Sequence, residues 1–321
     1  MADTKADLLG RDLIQSRFMQ DGSRKAIVAA FAANLGIAVA KLVGFALTRS
    51  TGMLAEAVHS LADTGNQGLL MLGSKKSQKQ ATVKHPFGYG RERYFWAFAV
   101  ALVIFSLGGA FAFYEGLDKL FHPHEPKNLP VGIGILIFSI LLEGYSFKTA
   151  MHEASAMKGD SKFFEFLRHA KTPELPVVLL EDTGALIGLV LALGGLILSK
   201  VTGNGRWDAA GSLSIGVLLI AIAAFLCVEM KSLLIGEAAA DSEEADIVAA
   251  IEGSPEVFGL IHIRTMHLGP DELLLGTKIH FNDTFSTAEL AMAIDAVEAR
   301  IRTAVPSARV IYIEPDITRP S

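Results

Sequence analysis

Six long apolar stretches, separated by polar and charged segments, dominate the first three quarters of the chain. They run from Ala26 to Leu47, Met53 to Gly73, Tyr94 to Leu117, Leu129 to Thr149, Leu175 to Leu198 and Ala209 to Ile235. A bilayer core takes about 20 consecutive apolar residues as a helix. Lipid offers no partner to an unpaired backbone group, so helices are the natural form of these runs. The alternative, a soluble α/β protein with buried helices, would have to hide six such runs in one core.

After Glu237 the period changes. Residues Asp241–Gly253 carry helical spacing at Ile247, Val248 and Ile251, and Leu260–Leu268 alternates like a half-buried strand. Gly269-Pro270-Asp271 is turn chemistry, followed by a second strand over Leu273–Phe281. Ser286, with Glu289 three residues on, predicts the N-cap of a helix over Thr287–Val305, and Arg309–Ile313 reads as a third strand. The order α-β-β-α-β predicts a small α+β, ferredoxin-like domain with helices on one face of an antiparallel sheet. The expected organisation is an N-terminal segment (1–25), a six-helix transmembrane domain (26–236) and a C-terminal α+β domain (237–321).

Composition sharpens this division. Of 321 residues, 51% are hydrophobic and 20% charged, and mean hydropathy is +0.39. The formal net charge of -5 hides an asymmetry: residues 1–236 sum to +4 and residues 237–321 to -9. Neither part has the strongly basic face that binds phosphate backbones, so nucleic acid is an unsuitable partner. A single cysteine, Cys227, excludes an internal disulfide framework and a multi-cysteine metal site.

Loop charge predicts orientation. The N-terminal segment and the second and fourth loops hold 15 Lys and Arg, against 5 in the alternate loops. Both termini are therefore expected on the cytoplasmic side of a multi-pass membrane protein. The N-terminal segment, with Asp3, Asp7 and Asp12, does not read as a cleaved signal peptide.

Charged side chains inside a membrane span cost on the order of 2.5–3.5 kcal/mol and are functional suspects. In the second span His59 and Asp63 are one helical turn apart and share a face, which Glu56 and Asn66 extend. An imidazole and a carboxylate so placed suit a borderline divalent cation; a plain His–Asp pair joining helices has the same spacing. The fifth span carries Glu181 and Asp182, adjacent residues about 100° apart on a helix, so only one can face a site squarely. Glu181 could instead pair with a base of the fourth loop or with Lys148. Lys41 and Lys148 are candidates to pair with acids or to reach for the interface, Glu143 to line a cavity, and Asn34 and Glu229 are further polar groups. Gly184, Gly188, Gly194 and Gly195 predict close helix approach in the fifth span.

In the tail, His262, His267 and His280 fall on predicted strands, with Glu314 and Asp316 after the last. Strand parity sets His262 and His267 on opposite faces. Ordinary surface or cap positions explain these histidines better than a metal cluster does.

The segments GMLAEAVHSLADTGNQ (Gly52–Gln67) and HPFGYGR (His85–Arg91), with six spans and an α-β-β-α-β tail, resemble the cation diffusion facilitator family over about residues 26–316. Val178-Leu-Leu-Glu-Asp-Thr183 and Tyr312-Ile-Glu-Pro315 are similar to the subgroup containing the mitochondrial zinc transporter of animals. The resemblance implies a homodimer, without a resident cofactor, that exchanges a divalent metal, usually Zn²⁺, for protons by alternating access. It implies a metal site of His59 and Asp63 from the second span and Asp182 from the fifth. Val178 stands where many zinc members have a further histidine, leaving Glu181, Asn66, Asn34 or water to complete the set. Fewer nitrogen ligands weaken the preference for Zn²⁺ over Mn²⁺ or Fe²⁺. In the tail, Ile261 and Ile313 fill positions that are often histidine in the family, which implies reduced or absent metal sites there.

The expected activity is export of a divalent cation from the cytoplasm across a bacterial inner membrane, and not enzymatic. An intramembrane metalloenzyme would carry richer His clusters than this chain does. A metal-responsive membrane regulator that no longer transports is the other alternative, supported by the missing histidine at Val178.

Overall fold

The structure is a computed structural model that describes residues 35–123, 128–158 and 171–318. Its helices follow the apolar runs: α1 (Leu35–Thr48 in its described part), α2 (Thr51–Ser77), α3 (Glu92–Val103), α4 (Phe111–Phe121), α5 (Leu129–Lys158), α6 (Glu174–Thr202) and α7 (Arg206–Ile235). Helices α3 and α4 are one continuous rod, joined by a π-helical stretch over Ile104–Ala110. The start of the first expected span, the N-terminal segment and most of the fourth loop lie outside the described residues.

Four of these rods are long and apolar enough to cross a membrane: Glu92–Phe121, Leu129–Lys148, Pro176–Thr202 and Arg206–Ile235. Helix α1 is shorter in its described part. Helix α2 is 27 residues long, yet its interior carries Glu56, His59, Asp63 and Asn66, which dilute its apolar character. Large apolar side chains stay exposed along the rods, among them Phe105, Phe138, Leu141, Val190 and Val217. Such a surface suits lipid and not water.

The chain forms two compact units. The first takes the described residues up to Gly68, those within Val103–Phe147 and Glu181–Ala221. Its interior is built from Met53, Ile104, Leu136, Leu189, Leu196, Ile215 and Leu219, all at most 1% exposed. The expected close approach in α6 is met at Gly195, where a Cβ would lie 2.9 Å from the Trp207 carbonyl oxygen of α7. Gly194 instead faces open space.

The first unit also holds a buried hub that periodicity did not reveal. The carboxylate of Asp208, at the start of α7, accepts from Ser50 Oγ at 2.7 Å and from both the backbone N–H and Oγ1 of Thr51 at 2.9 Å. Lys119 Nζ of α4 completes it at 3.1 Å. Asp208 thereby caps the N-terminus of α2, where an anion meets free N–H groups and a positive helix end.

The second unit takes Leu69–Leu102 and the described residues within Lys148–Leu180 and from Ile222 onward. It contains helix α8 (Asp241–Glu252), strands β1 (Val257–Gly269) and β2 (Glu272–Phe281), helix α9 (Thr287–Ala304) and strand β3 (Ala308–Pro315). Ser286 caps α9 as expected: its Oγ accepts from Glu289 N at 3.4 Å while Glu289 Oε2 accepts from Ser286 N at 2.8 Å. Alternation along β2 buries Leu273, Leu275, Thr277, Ile279 and Phe281. These pack with Ile247 and Ile251 of α8 and Val297 and Ile301 of α9.

The sheet corrects one expectation. Its order is β1-β2-β3, with β1 antiparallel to β2 but β3 parallel to it. It is a mixed sheet, because α9 carries the chain back to the starting edge of β2 in a βαβ crossover. In the same unit Arg93 binds Glu174 at the head of α6 through Nε at 2.5 Å and Asp271 of the β1–β2 turn through Nη1 at 3.0 Å.

Candidate metal site

The polar stripe of α2 faces the interior of the first unit. His59 is 1% exposed, Asp63 8% and Asn66 0%, on a helix whose outward positions are apolar. Their spacing of four and three residues stacks them along one side. His59 Nδ1 lies 3.4 Å from Asp63 Oδ1, without hydrogen-bond geometry.

Helix α6 turns Glu181 towards this stripe. Glu181 Oε1 accepts from Asn66 Nδ2 at 2.9 Å, and its carboxyl group is within hydrogen-bonding reach of Asp63. Asp182, one residue on, points elsewhere: Ser146 Oγ of α5 donates to its Oδ2 at 3.4 Å. Of the two adjacent residues, Glu181 is the one whose side chain meets α2; most of the fourth-loop bases considered for it lie outside the described residues. The structure brings His59, Asp63, Asn66 and Glu181 together and sets Asp182 beside them.

Glu56, one turn before His59, is fully buried. Lys41 Nζ of α1 donates to its Oε2 at 3.2 Å and to Ser60 Oγ at 2.6 Å. Of the two fates considered for Lys41, pairing with an acid is the one adopted. Gly188 of α6 makes room for this pair, since a Cβ there would lie 2.5 Å from Glu56 Oε1. Glu143 of α5 is 9% exposed and adds its field to Asp63, Glu181 and Asp182. The π-helical stretch brings Gly108 against the site: a Cβ there would stand 3.9 Å from His59 Nδ1.

Both ring nitrogens of His59, Asp63 Oδ1, Asn66 Oδ1 and Glu56 Oε1 are buried without a hydrogen-bond partner among the described residues. Buried polar atoms are nearly always satisfied, and leaving one unmade costs about 1–3 kcal/mol. A concentration of such atoms on one helix face marks a place that a ligand completes. The donors are one imidazole and several oxygens, with carboxylates in excess, so the fitting ligand is a cation. Among the described residues no three His, Cys, Asp or Glu side chains already converge to metal-binding distances.

The tail histidines divide. His262 accepts from Arg264 Nε at 3.0 Å, and His280 lies 3.1 Å from both Thr318 Oγ1 and Asp283 Oδ1. These two are surface residues, as expected. His267 is not: it is 1% exposed, and its Nε2 is 3.9 Å from Glu243 Oε2. No register shift separates His262 from His267, so strand alternation sets them on opposite faces of β1, one exposed and one buried.

Membrane-length helices and a buried polar face rich in carboxylates are the two features that the fold and the site present together. Residues 27–235 match the cation efflux transmembrane domain, and the chain belongs to this family, the cation diffusion facilitators, whose members are transporters. It is 30% identical over 281 residues to the mouse proton-coupled zinc antiporter SLC30A9, mitochondrial, covering 86% of this chain and 50% of that one. It is 29% identical over 264 residues to metal tolerance protein C4 of Arabidopsis thaliana, covering 81% and 57%. It is 27% identical over 296 residues to the cation-efflux pump FieF of Shigella flexneri, covering 90% and 91%. The chain spans about half the length of the animal relatives it matches.

Proposed function

We propose that this chain is a proton-coupled exporter of divalent cations, with Zn²⁺ as the preferred substrate. His59, Asp63 and Glu181 are the primary ligands, Asn66 fixes Glu181, and Asp182 supplies a further carboxylate from the same helix. The observation that carries this reading is the set of unpartnered buried atoms on α2, with Glu181 tied to the same face. The zinc antiporters among its relatives support the choice of metal.

Metal binding requires neutral imidazole and ionised carboxylate, so metal and protons compete for the same groups. Protons arriving from the far side displace the metal, and the protonated site returns to the side where the termini lie. This reading takes α1 and α2 as two further spans beside the four apolar rods, six in all, with both termini cytoplasmic and the part from about Glu237 as a cytoplasmic domain. It takes the working form as a homodimer in a bacterial inner membrane.

Purified protein in liposomes should move Zn²⁺ with opposite proton movement, and His59→Ala should abolish both. Full flux in both His59→Ala and Asp182→Ala would contradict the assignment. A second reading, Mn²⁺ or Fe²⁺ export, is favoured by the oxygen-rich donor set, in which His59 is the one imidazole. A competition series among Zn²⁺, Mn²⁺, Fe²⁺ and Co²⁺, on the wild type and on Val178→His, separates the two. Metal binding without flux would instead favour a non-transporting regulator.

A further inference from the structure

In the second unit a cavity of about 620 Å³ opens where α3 begins and α7 ends. Its size falls in the range of small-molecule sites, about 300–1,000 Å³. Three cations line it: Lys76 from the last turn of α2, Lys84 from the following loop, and Arg91 just before α3. None of the three has a carboxylate partner among the described residues. Lys76 rests on the Trp96 ring, 4.7 Å from its centroid. Arg91 Nη2 meets only Met266 Sδ, at 3.2 Å, a weak acceptor, and its Nε is buried without a partner. The one acid of the lining, Glu92, is taken by Trp96 Nε1 at 2.7 Å.

Three cations against one carboxylate, Glu92, leave the described lining of the cavity net positive. A guanidinium offers paired donors that match phosphate oxygens, and lysines add point charge. Aromatic side chains form the other wall, with Phe87, Tyr89 and Trp96 among them. Both α3 and α7 belong to membrane-length rods, so the cavity lies at the level where a rod leaves the hydrocarbon. Aromatic rings and basic residues there are the setting of a lipid headgroup.

We infer that this cavity binds a phosphate ester, presented as the headgroup of an anionic phospholipid of the surrounding membrane. Arg91 and Lys84 hold the phosphate, Lys76 closes the site from α2, and the aromatic wall receives the glycerol end. The same chemistry would accept a soluble phosphate ester, and the test distinguishes the sources.

The protein has two tryptophans, so Trp207→Phe leaves Trp96 as the sole reporter at the cavity. The full-length Trp207→Phe protein is reconstituted in phosphatidylcholine vesicles carrying either brominated phosphatidylglycerol or brominated phosphatidylcholine. Trp96 should be quenched more by the anionic lipid at equal mole fraction. Local enrichment should reach about fivefold for each cation that engages the phosphate. The preference should vanish in the Lys76→Gln/Lys84→Gln/Arg91→Gln protein and survive in Lys76→Arg/Lys84→Arg/Arg91→Lys. Glycerol 3-phosphate supplies the soluble arm: displacement of the brominated anionic lipid by it would support the phosphate site and assign it a soluble source as well. Equal quenching by both lipids with no response to glycerol 3-phosphate would overturn the proposal. So would a preference that survives loss of the three charges, or one lost equally in the charge-keeping protein.

Discussion

Lys41 and Glu56 form an ion pair of 3.2 Å in which both side chains are fully buried, one turn of α2 away from His59. A pair so placed cannot be screened by water, and removing one partner strands the other. Lys41→Met should therefore lower stability by about 3–5 kcal/mol, and Lys41→Met/Glu56→Leu should recover most of that loss. Thermal unfolding of the purified protein in detergent reads both. A Lys41→Met protein as stable as the wild type would show that the pair carries no structural weight.

The Asp208 hub makes a comparable demand where the start of α2, α4 and α7 meet. Asp208→Ala removes the acceptor of Ser50, Thr51 and Lys119 and leaves the Lys119 ammonium buried. The loss should again be about 3–5 kcal/mol, with Asp208→Asn intermediate because it keeps an acceptor oxygen. Denaturation midpoints of the two variants test the order.

Two glycines of α6, Gly188 and Gly194, should respond oppositely to the same change. Gly188→Ala places a Cβ 2.5 Å from Glu56 Oε1, whose partner Lys41 resists its displacement. A loss of about 1–3 kcal/mol is expected. Gly194→Ala meets nothing within 4 Å and should gain about 0.5–1 kcal/mol from helix propensity. Paired melting curves decide this.

The tail should weaken in mild acid. Burial is the main cause that holds the His267 imidazole below its usual 6.5, with Lys171 adding to it and Glu243 and Glu237 opposing. The folded state therefore binds the proton less readily than the unfolded one. The resulting stability is complete above pH 6.5 and is lost as pH falls from there through the lowered value. Burial opposes ionisation of Glu237, but the hydrogen bonds from Lys171, at 2.6 Å, and from Ser232 together with the Lys171 charge outweigh it and set that carboxyl below 4.5, so its loss comes at lower pH. His267→Gln should flatten the decline of melting temperature between about pH 7 and 5.

Much of this was legible along the chain because it is periodic. The α2 stripe follows from spacing alone, and the Ser286–Glu289 cap is a local signature that holds to the residue. Three things were not legible. Alternation along β2 tells which residues are buried but not the direction of its neighbour, so the parallel pairing with β3 escaped. Asp208 reads as an interfacial charge at the start of a span, because its partners Ser50 and Thr51 lie 158 and 157 residues away. Glu181 and Asp182 could be told apart only once the rotation of α6 against Asn66 was known.

The hydrogen bond from Asn66 to Glu181 gives a graded expectation within the site. Asn66→Ala frees the Glu181 carboxylate without removing a primary ligand, so metal affinity should fall by about 10–100-fold.

The most direct test of the central claim is calorimetric titration of the detergent-purified protein with Zn²⁺ at neutral pH, in the wild type, His59→Ala and Glu181→Gln. Saturable binding with proton release is expected in the wild type, and loss of that component in both variants. Undiminished Zn²⁺ binding in the His59→Ala protein would contradict it.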